Sequence, residues 1–132
     1  MAYISQEILI EAEPARVWDA LRDVGALHTR LVPGFVTDTR LDGQGARIVT
    51  FGSGQVVREL IVDVDDAARR VAWSAVGEPF AHHHASAQVF AEERGCRFVW
   101  IADLLPDTLG PFVAGMMEQG LGTLKRTLEA EA

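Results

Sequence analysis

Apolar and polar residues alternate along most of this chain, and turn-forming residues divide the alternation into separate segments. A period of two residues is typical of half-buried β-strands, whose successive side chains point to opposite faces. The pattern predicts seven strands, at residues 4–12, 35–41, 46–51, 55–64, 70–76, 81–92 and 96–105. The turns between successive strands from residue 35 onward are short and rich in glycine, aspartate and proline, which favours antiparallel hairpins.

Two stretches have a helical period instead. Pro14 suits a first helical position, and Val17, Trp18 and Leu21 share one face of a short helix that Gly25 closes. A second short helix is predicted at residues 26–31. After Pro106 the apolar spacing changes to three and four residues, which predicts a long helix at residues 108–129. Its apolar side consists of Phe112, Val113, Met116, Met117, Leu121, Leu124 and Leu128.

These elements predict a single α+β domain over residues 1–132. A curved seven-stranded antiparallel sheet would carry two short helices and the long C-terminal helix on one side. A helix laid across such a sheet can enclose a cavity. The long helix also contains Gly110, Gly115, Gly120 and Gly122. These glycines indicate either a close approach of helix and sheet or a smooth wall for a ligand.

Composition and charge exclude several functions. Apolar residues make up 48% of the chain, enough for a core with a hollow in it. The net charge of −7 would repel both a phosphate backbone and an anionic membrane, so we expect neither nucleic-acid binding nor membrane insertion. Cys96 is the only cysteine, and no signal-like or membrane-spanning apolar run is present, which favours a cytoplasmic location.

Several segments resemble a known family. They are residues 12–19 (Ala-Glu-Pro-Ala-Arg-Val-Trp-Asp), residues 70–74 (Arg-Val-Ala-Trp-Ser), the Gly77-Glu78 turn, residues 98–100 (Phe-Val-Trp) and the terminal helix. Together they resemble the START-like (SRPBCC, helix-grip) superfamily, specifically its bacterial polyketide cyclase/dehydrase-like branch. This branch is similar to plant abscisic-acid receptors and birch-pollen-type allergens. The resemblance implies a deep apolar cavity between sheet and helix that binds a hydrophobic or amphipathic, lipid-like molecule.

The resemblance also suggests which side chains line this cavity. In the similar receptors, an aromatic hydroxyl and a serine two residues apart face the ligand, which favours His84 and Ser86 as the inward pair. His84 would then replace a phenol by an imidazole that can move a proton. Trp100 is expected on the face opposite Val99 and Ile101. The predicted ligand-binding residues are Val49, Phe51, Glu59, Trp73, Ala75, His82, His84, Ser86, Ile101, Asp103, Phe112, Met116 and Met117.

The acidic and imidazole groups of this set allow two interpretations. Buried carboxylates are driven toward their neutral forms unless they are paired, and catalytic acids and bases are tuned in this way. His84, Glu59 and Asp103 could therefore form a catalytic group, with Ser86 holding a substrate oxygen. Alternatively, Glu59 pairs with an arginine such as Arg47, and Asp103 borders the turn at Pro106.

The run of three histidines at positions 82–84 invites a metal interpretation. Two histidines on one strand face could ligate zinc together with Asp103, but the sequence offers no further spaced ligand. We therefore expect neither a metal nor a cofactor.

Three functions follow from these patterns. The first is binding of a small hydrophobic ligand in the cavity. The second is a polyketide cyclase, aromatase or dehydratase with His84 as general acid or base. The third is an interaction module whose sheet pairs with another subunit, such as a homodimer. Binding is favoured over catalysis, because the polar groups are few and no nucleophile has an evident base.

Overall fold

The computed structural model describes residues 1–131 and contains a seven-stranded antiparallel sheet. Its strands follow the spatial order β1-β7-β6-β5-β4-β3-β2, so β1 and β2 form the two edges. The strands are β1 Ala2–Ile10, β2 Val36–Leu41, β3 Ala46–Phe51, β4 Val56–Asp65, β5 Arg70–Val76, β6 His82–Glu92 and β7 Gly95–Leu105. The predicted α+β class and seven-stranded antiparallel sheet are confirmed.

The helices agree with the sequence pattern in number and differ in detail. They are α1 (Pro14–Arg22), a single π turn (Leu27–Leu31) and α2 (Gly110–Ala130). The second predicted helix is this π turn. The predicted long helix starts two residues later than expected, because a 3-10 turn at Asp107–Leu109 precedes it. None of the helices in residues 1–131 combines the length and the apolar content that crossing a bilayer requires.

The first strand is displaced from its predicted position. It was expected at residues 4–12, and it occupies Ala2–Ile10 because its partner β7 ends its pairing there. The last paired position is Ile10 opposite Cys96, next to the first residue of β7, Gly95. Beyond this point no neighbouring strand supplies hydrogen bonds.

The sheet curves around α2, and the core lies on its concave side. Irregular pairing between Val36 and Asp38 in β2, and between Ile61 and Asp63 in β4, marks bulges that bend these strands. Helix α2 contacts β1 and the π turn, and α1 contacts β5 and β6. The shared core contains a large apolar cluster that includes Ile10, Val17, Leu21, Phe98, Leu104, Leu121, Leu124 and Leu128. Burying each such side chain contributes roughly 1.5–3 kcal/mol.

One glycine of α2 is required by close packing. A Cβ atom placed on Gly120 would lie 2.9 Å from Cζ3 of Trp100 and 3.1 Å from Cε2 of Phe35. At Gly115 a Cβ atom would meet nothing within 4 Å. Close approach of helix and sheet therefore explains Gly120 but not Gly115.

Candidate ligand-binding cavity

Two adjoining chambers lie between the concave face of the sheet and α2, and each has a volume of about 80 Å³. The first extends toward the start of α2, where Phe112, Val113, Met116 and Met117 line it. The second extends toward α1 and the π turn. Both chambers share the side chains of Phe35, Phe51, Glu59, Trp73 and Trp100. The walls are therefore mainly aromatic and aliphatic, and the rings of Trp73 and Trp100 lie 6.2 Å apart.

A buried ion pair belongs to the cavity lining, with Glu59 lining both chambers and Arg47 lining the second. Arg47 on β3 and Glu59 on β4 are directly opposite each other in the register, and their side chains share the concave face. Arg47 Nε donates a hydrogen bond to Glu59 Oε1 at 2.8 Å, and Nη1 donates to the backbone oxygen of Val24 at 3.2 Å. The guanidinium also lies over the ring of Trp73, 5.5 Å from its centroid. The arginine is thus held on three sides.

Both members of this pair keep polar atoms for a ligand. A guanidinium has five N–H donors, and within residues 1–131 only two hydrogen bonds use those of Arg47. Some side-chain nitrogen and oxygen atoms in residues 1–131 are completely buried and lack a hydrogen-bond partner. Nη2 of Arg47 and Oε2 of Glu59 are not among them. Since Glu59 lines both chambers and Arg47 lines the second, these atoms are available to donate to and accept from the same ligand group.

His83 brings a second polar group to the first chamber. The β5–β6 ladder ends at the Trp73–Ala85 pair, although β5 continues to Val76. Beyond it, the backbone N–H of Ala75 donates to Nδ1 of His83 at 2.9 Å. The imidazole therefore accepts a hydrogen bond that a strand carbonyl would normally take. Because Nδ1 is an acceptor, the neutral ring carries its proton on Nε2.

The surroundings of His83 keep its ring uncharged. Phe80 packs against it with a centroid distance of 5.0 Å. The pKa of His83 is lowered to about 4, chiefly because burial disfavours the charged ring, and the adjacent His84 adds to the effect. At neutral pH the side chain is thus a neutral donor at Nε2.

A wider surface depression of about 610 Å³ adjoins the first chamber. Phe35, Phe51, Phe112 and Met116 line both spaces, and the Gly52-Ser53 turn and Gln119 complete the outer rim. Phe112 is 58% exposed, so it stands at the mouth rather than in the core. This depression offers an approach to the first chamber beside the start of α2.

The cavity contains many of the residues that the sequence nominated. Eight of them line the two chambers: Val49, Phe51, Glu59, Trp73, Ala75, Phe112, Met116 and Met117. Whether they contact a ligand remains a prediction. For Glu59, the pairing with Arg47 that the sequence allowed is the arrangement that the structure has.

The expected inward position of the other five is wrong. His82, His84, Ser86, Ile101 and Asp103 lie on the convex face, and Trp100 points inward instead of outward. The register explains why, since Trp73 faces the cavity and pairs with Ala85, which pairs in turn with Ala102. Side chains alternate along a strand, so His83 and Trp100 share the concave face, whereas His84 and Asp103 do not. A one-residue error in matching the similar receptors reverses every side chain in this way.

The proposed catalytic group of His84, Glu59 and Asp103 is therefore not assembled. Asp103 bonds His82 on the outside of the sheet, with 2.6 Å between Nε2 and Oδ1, rather than bordering the turn at Pro106. Both side chains are at least 30% exposed, at 41% for His82 and 31% for Asp103. Within residues 1–131, no three His, Cys, Asp or Glu side chains are grouped closely enough to hold a metal ion.

Sequence reasoning missed three lining residues of consequence: Phe35, Phe80 and His83. A signal for His83 was present. On β6, Ala85, Ala87 and Val89 alternate with His84, Ser86 and Gln88, and the apolar set is the one that faces the core. No comparable signal marks Phe80, which lies in a turn.

Comparison with known proteins agrees with this architecture. Residues 1–129 match the family model described as polyketide cyclase / dehydrase and lipid transport. The chain belongs to this family. Membership in this polyketide cyclase/dehydrase family confirms the START-like (SRPBCC) assignment and supports a role in ligand binding or cyclisation. None of the curated proteins matches the chain in sequence.

Solved structures share the fold of this family member. An uncharacterized protein from Bacillus thuringiensis has a TM-score of 0.85 and 18% identity over 96% of this chain and 98% of its own. A Thermobifida fusca protein has a TM-score of 0.75 and 25% identity over 99% of this chain and 92% of its own. The di-domain ARO/CYC protein BexL, from a biosynthetic pathway, has a TM-score of 0.83 and 16% identity. That match covers 98% of this chain and 47% of BexL.

Proposed function

We propose that this protein binds a small, largely apolar molecule in the two chambers, with the polar atoms of the ligand held by Arg47 and Glu59. The observation that carries the proposal is the buried ion pair in an otherwise apolar lining. A paired charge costs desolvation energy and is seldom the cheapest way to fill a core. Its free donor and acceptor atoms instead give the cavity a means of orienting a ligand, as in apolar pockets with a few convergent polar groups.

The size of the chambers limits which ligands fit without rearrangement of the lining. Spaces of about 80 Å³ accept one small ring or a short acyl segment rather than a fused multi-ring compound. The lining near α2 includes Met116 and Met117, and methionine side chains adapt easily to a guest. A larger ligand would require these side chains and Phe112 to move.

Mass spectrometry under native conditions tests the binding proposal. Protein purified from its own host should retain an apolar small molecule, and its removal should change tryptophan fluorescence. Two of the three tryptophans, Trp73 and Trp100, line the chambers, whereas Trp18 bonds Asp66 outside them. Ligand-dependent fluorescence should be reduced in each of Trp73→Phe and Trp100→Phe and kept in full in Trp18→Phe. A response carried by Trp18 alone would contradict the proposal.

A cyclase or dehydratase is the second candidate, favoured by the family description and by an imidazole in the first chamber. His83, not His84, would then act as acid or base. A pKa of about 4 makes His83 a weak base at neutral pH, which lowers its value in proton transfer. We therefore rank binding first. Turnover of a poly-β-keto substrate that is lost in His83→Asn and kept in His84→Ala would establish catalysis instead.

Location and assembly are proposals that rest on the sequence. We propose that the ligand is met in the cytoplasm, and that any homodimer forms through the sheet. Size-exclusion chromatography with light scattering measures the assembly directly.

A further inference from the structure

The ionisable side chains that line the two chambers carry no net charge. Among the described lining residues only three can ionise: Arg47, Glu59 and His83. The charges of Arg47 and Glu59 cancel across their 2.8 Å hydrogen bond. His83 is neutral, since its partial burial among the lining residues disfavours the charged ring and its Nδ1 accepts the Ala75 N–H. A ligand therefore meets a cavity without a spare charge of either sign.

An ionised ligand would be poorly matched to this lining. A carboxylate that reached Arg47 would also lie beside Glu59, and burial weakens the solvent screening that normally moderates such like-charge repulsion. An ammonium beside Glu59 would meet Arg47 in the same way. Burying a charge without its own partner costs several kcal/mol, far more than burying a neutral polar group that is hydrogen-bonded.

An uncharged group with both a donor and an acceptor can form hydrogen bonds with the polar atoms of Arg47 and Glu59 that their mutual hydrogen bond does not use. Nη2 of Arg47 can donate to its oxygen, and Oε2 of Glu59 can accept from its N–H or O–H. A carboxamide, a phenol and an alcohol have this combination, and a carboxylate does not. The donor at Nε2 of His83 adds a place for a second acceptor in the first chamber.

We infer that the cavity selects uncharged ring compounds that carry a hydroxyl or amide group, and that it rejects carboxylates of the same shape. The inference rests on the proposed function, because it specifies what the same chambers bind. Fatty-acid anions and phosphorylated metabolites are thereby excluded as ligands of these chambers.

Benzamide and benzoate form a matched pair of probes, since they are nearly equal in shape and differ in charge. Binding is followed at pH 7.5 by the NMR methyl signal of Met117, which lines the first chamber. Wild-type protein should bind benzamide at least about tenfold more tightly than benzoate. Equal affinities, or tighter binding of benzoate, would overturn the charge inference and leave the proposed function standing. If neither probe moved the signal at saturating concentration, the proposed function would fail as well.

Glu59→Gln provides the sharper test because it leaves Arg47 with an uncompensated charge. The preference should then reverse, with benzoate bound more tightly than benzamide. The control is Asp63→Asn, which removes one carboxylate from an exposed position on the same strand and should keep the wild-type preference. An unchanged preference in folded Glu59→Gln would contradict the inference.

A second variant applies if Glu59→Gln does not fold. The double substitution Arg47→Met with Glu59→Leu removes both charges and leaves an apolar lining. It should weaken benzamide binding by about tenfold, which is the change in affinity expected from losing one hydrogen bond. Toluene, which has no polar group, should bind at least as well as before. Unchanged benzamide affinity would show that the ion pair does not contact the ligand.

Discussion

Arg47 and Glu59 occupy facing positions on β3 and β4, and a 2.8 Å hydrogen bond joins Nε of one to Oε1 of the other inside the cavity. Their side chains are only 4% and 10% exposed. Removing one partner would leave the other charged and buried, whereas removing both would leave an apolar lining. The free energies of unfolding of the single and double variants should therefore differ in a way that those of an exposed ion pair do not.

The first prediction concerns stability. Arg47→Met and Glu59→Leu should each lower the free energy of unfolding by about 3–5 kcal/mol, and the double variant should lose clearly less than either single variant. Urea denaturation of the four proteins measures this coupling. The surface pair Arg58–Asp42, with side chains 45% and 52% exposed, is the matched control and should give a coupling below about 1 kcal/mol. Additive losses in the cavity pair would show that the two charges do not support each other.

The second prediction concerns pH. The pKa of His83 is lowered from 6.5 to about 4 in the folded protein. Between these values the unfolded chain binds more protons than the folded one, so the contribution of His83 to stability is complete above pH 6.5 and is lost as the pH falls to about 4. Allowing for solvent contact of this partly buried ring, we expect a loss of about 2 kcal/mol across that window.

His83→Asn isolates this effect, because Oδ1 of asparagine can accept the Ala75 N–H without titrating. Its stability should change less with pH than that of the wild type, while His84→Ala should retain most of the wild-type slope, because burial is the chief cause of the lowered His83 pKa and His84 only adds to it. Thermal unfolding in a pH series measures all three proteins. Identical slopes in His83→Asn and wild type would show that another group is responsible.

The sequence predicted the scaffold well because strand alternation and helical period are local signals. Six of the seven predicted strands lie within about one residue of their observed bounds, and β1 alone is displaced by two. The identity of the inward face depended on register instead. On β6 the ordinary rule of apolar side chains toward the core selects Ala85, Ala87 and Val89, whereas the match to the similar receptors selects the opposite face because it is displaced by one residue.

On β7 the sequence alone could not decide between the two faces. Phe98, Trp100, Ala102 and Leu104 alternate with Val99, Ile101, Asp103 and Leu105, so both faces are largely apolar. Only the pairing of Ala102 with Ala85, which joins β7 to β6, fixes which face is inside. The Arg47–Glu59 pair could be anticipated, because each was a plausible partner for the other, but its position between two chambers could not.

The third prediction separates two glycines of α2. Alanine is a better helix former than glycine by about 1 kcal/mol, so Gly115→Ala should stabilise the protein by up to that amount. In Gly120→Ala the new Cβ would lie 2.9 Å from the Trp100 ring, and relieving this overlap should cost about 1–3 kcal/mol. Chemical denaturation compares the two variants directly. Stabilisation by both would mean that α2 can move away from Trp100 without loss.

The fourth prediction concerns access to the chambers. Phe112 is 58% exposed at the mouth, so Phe112→Ala should change stability by less than about 1 kcal/mol but accelerate the exchange of bound benzamide. NMR line-shape analysis measures the exchange rate. Val62→Ala is a control of similar exposure, 56%, away from the cavity lining, and should exchange at the wild-type rate. Equal exchange rates of benzamide in the wild type and both variants would show that the ligand does not enter the chambers past Phe112.

The most direct test of a ligand-binding cavity between sheet and helix uses the methionine methyl groups. The chain has three methionines, of which Met116 and Met117 line the first chamber and Met1 is 64% exposed. In protein labelled with 13C at these methyl groups, added benzamide should shift the Met116 and Met117 signals and give nuclear Overhauser effects between them and the probe, while Met1 stays unchanged. Equal shifts of all three signals, or none at Met117 at saturating probe, would contradict the account.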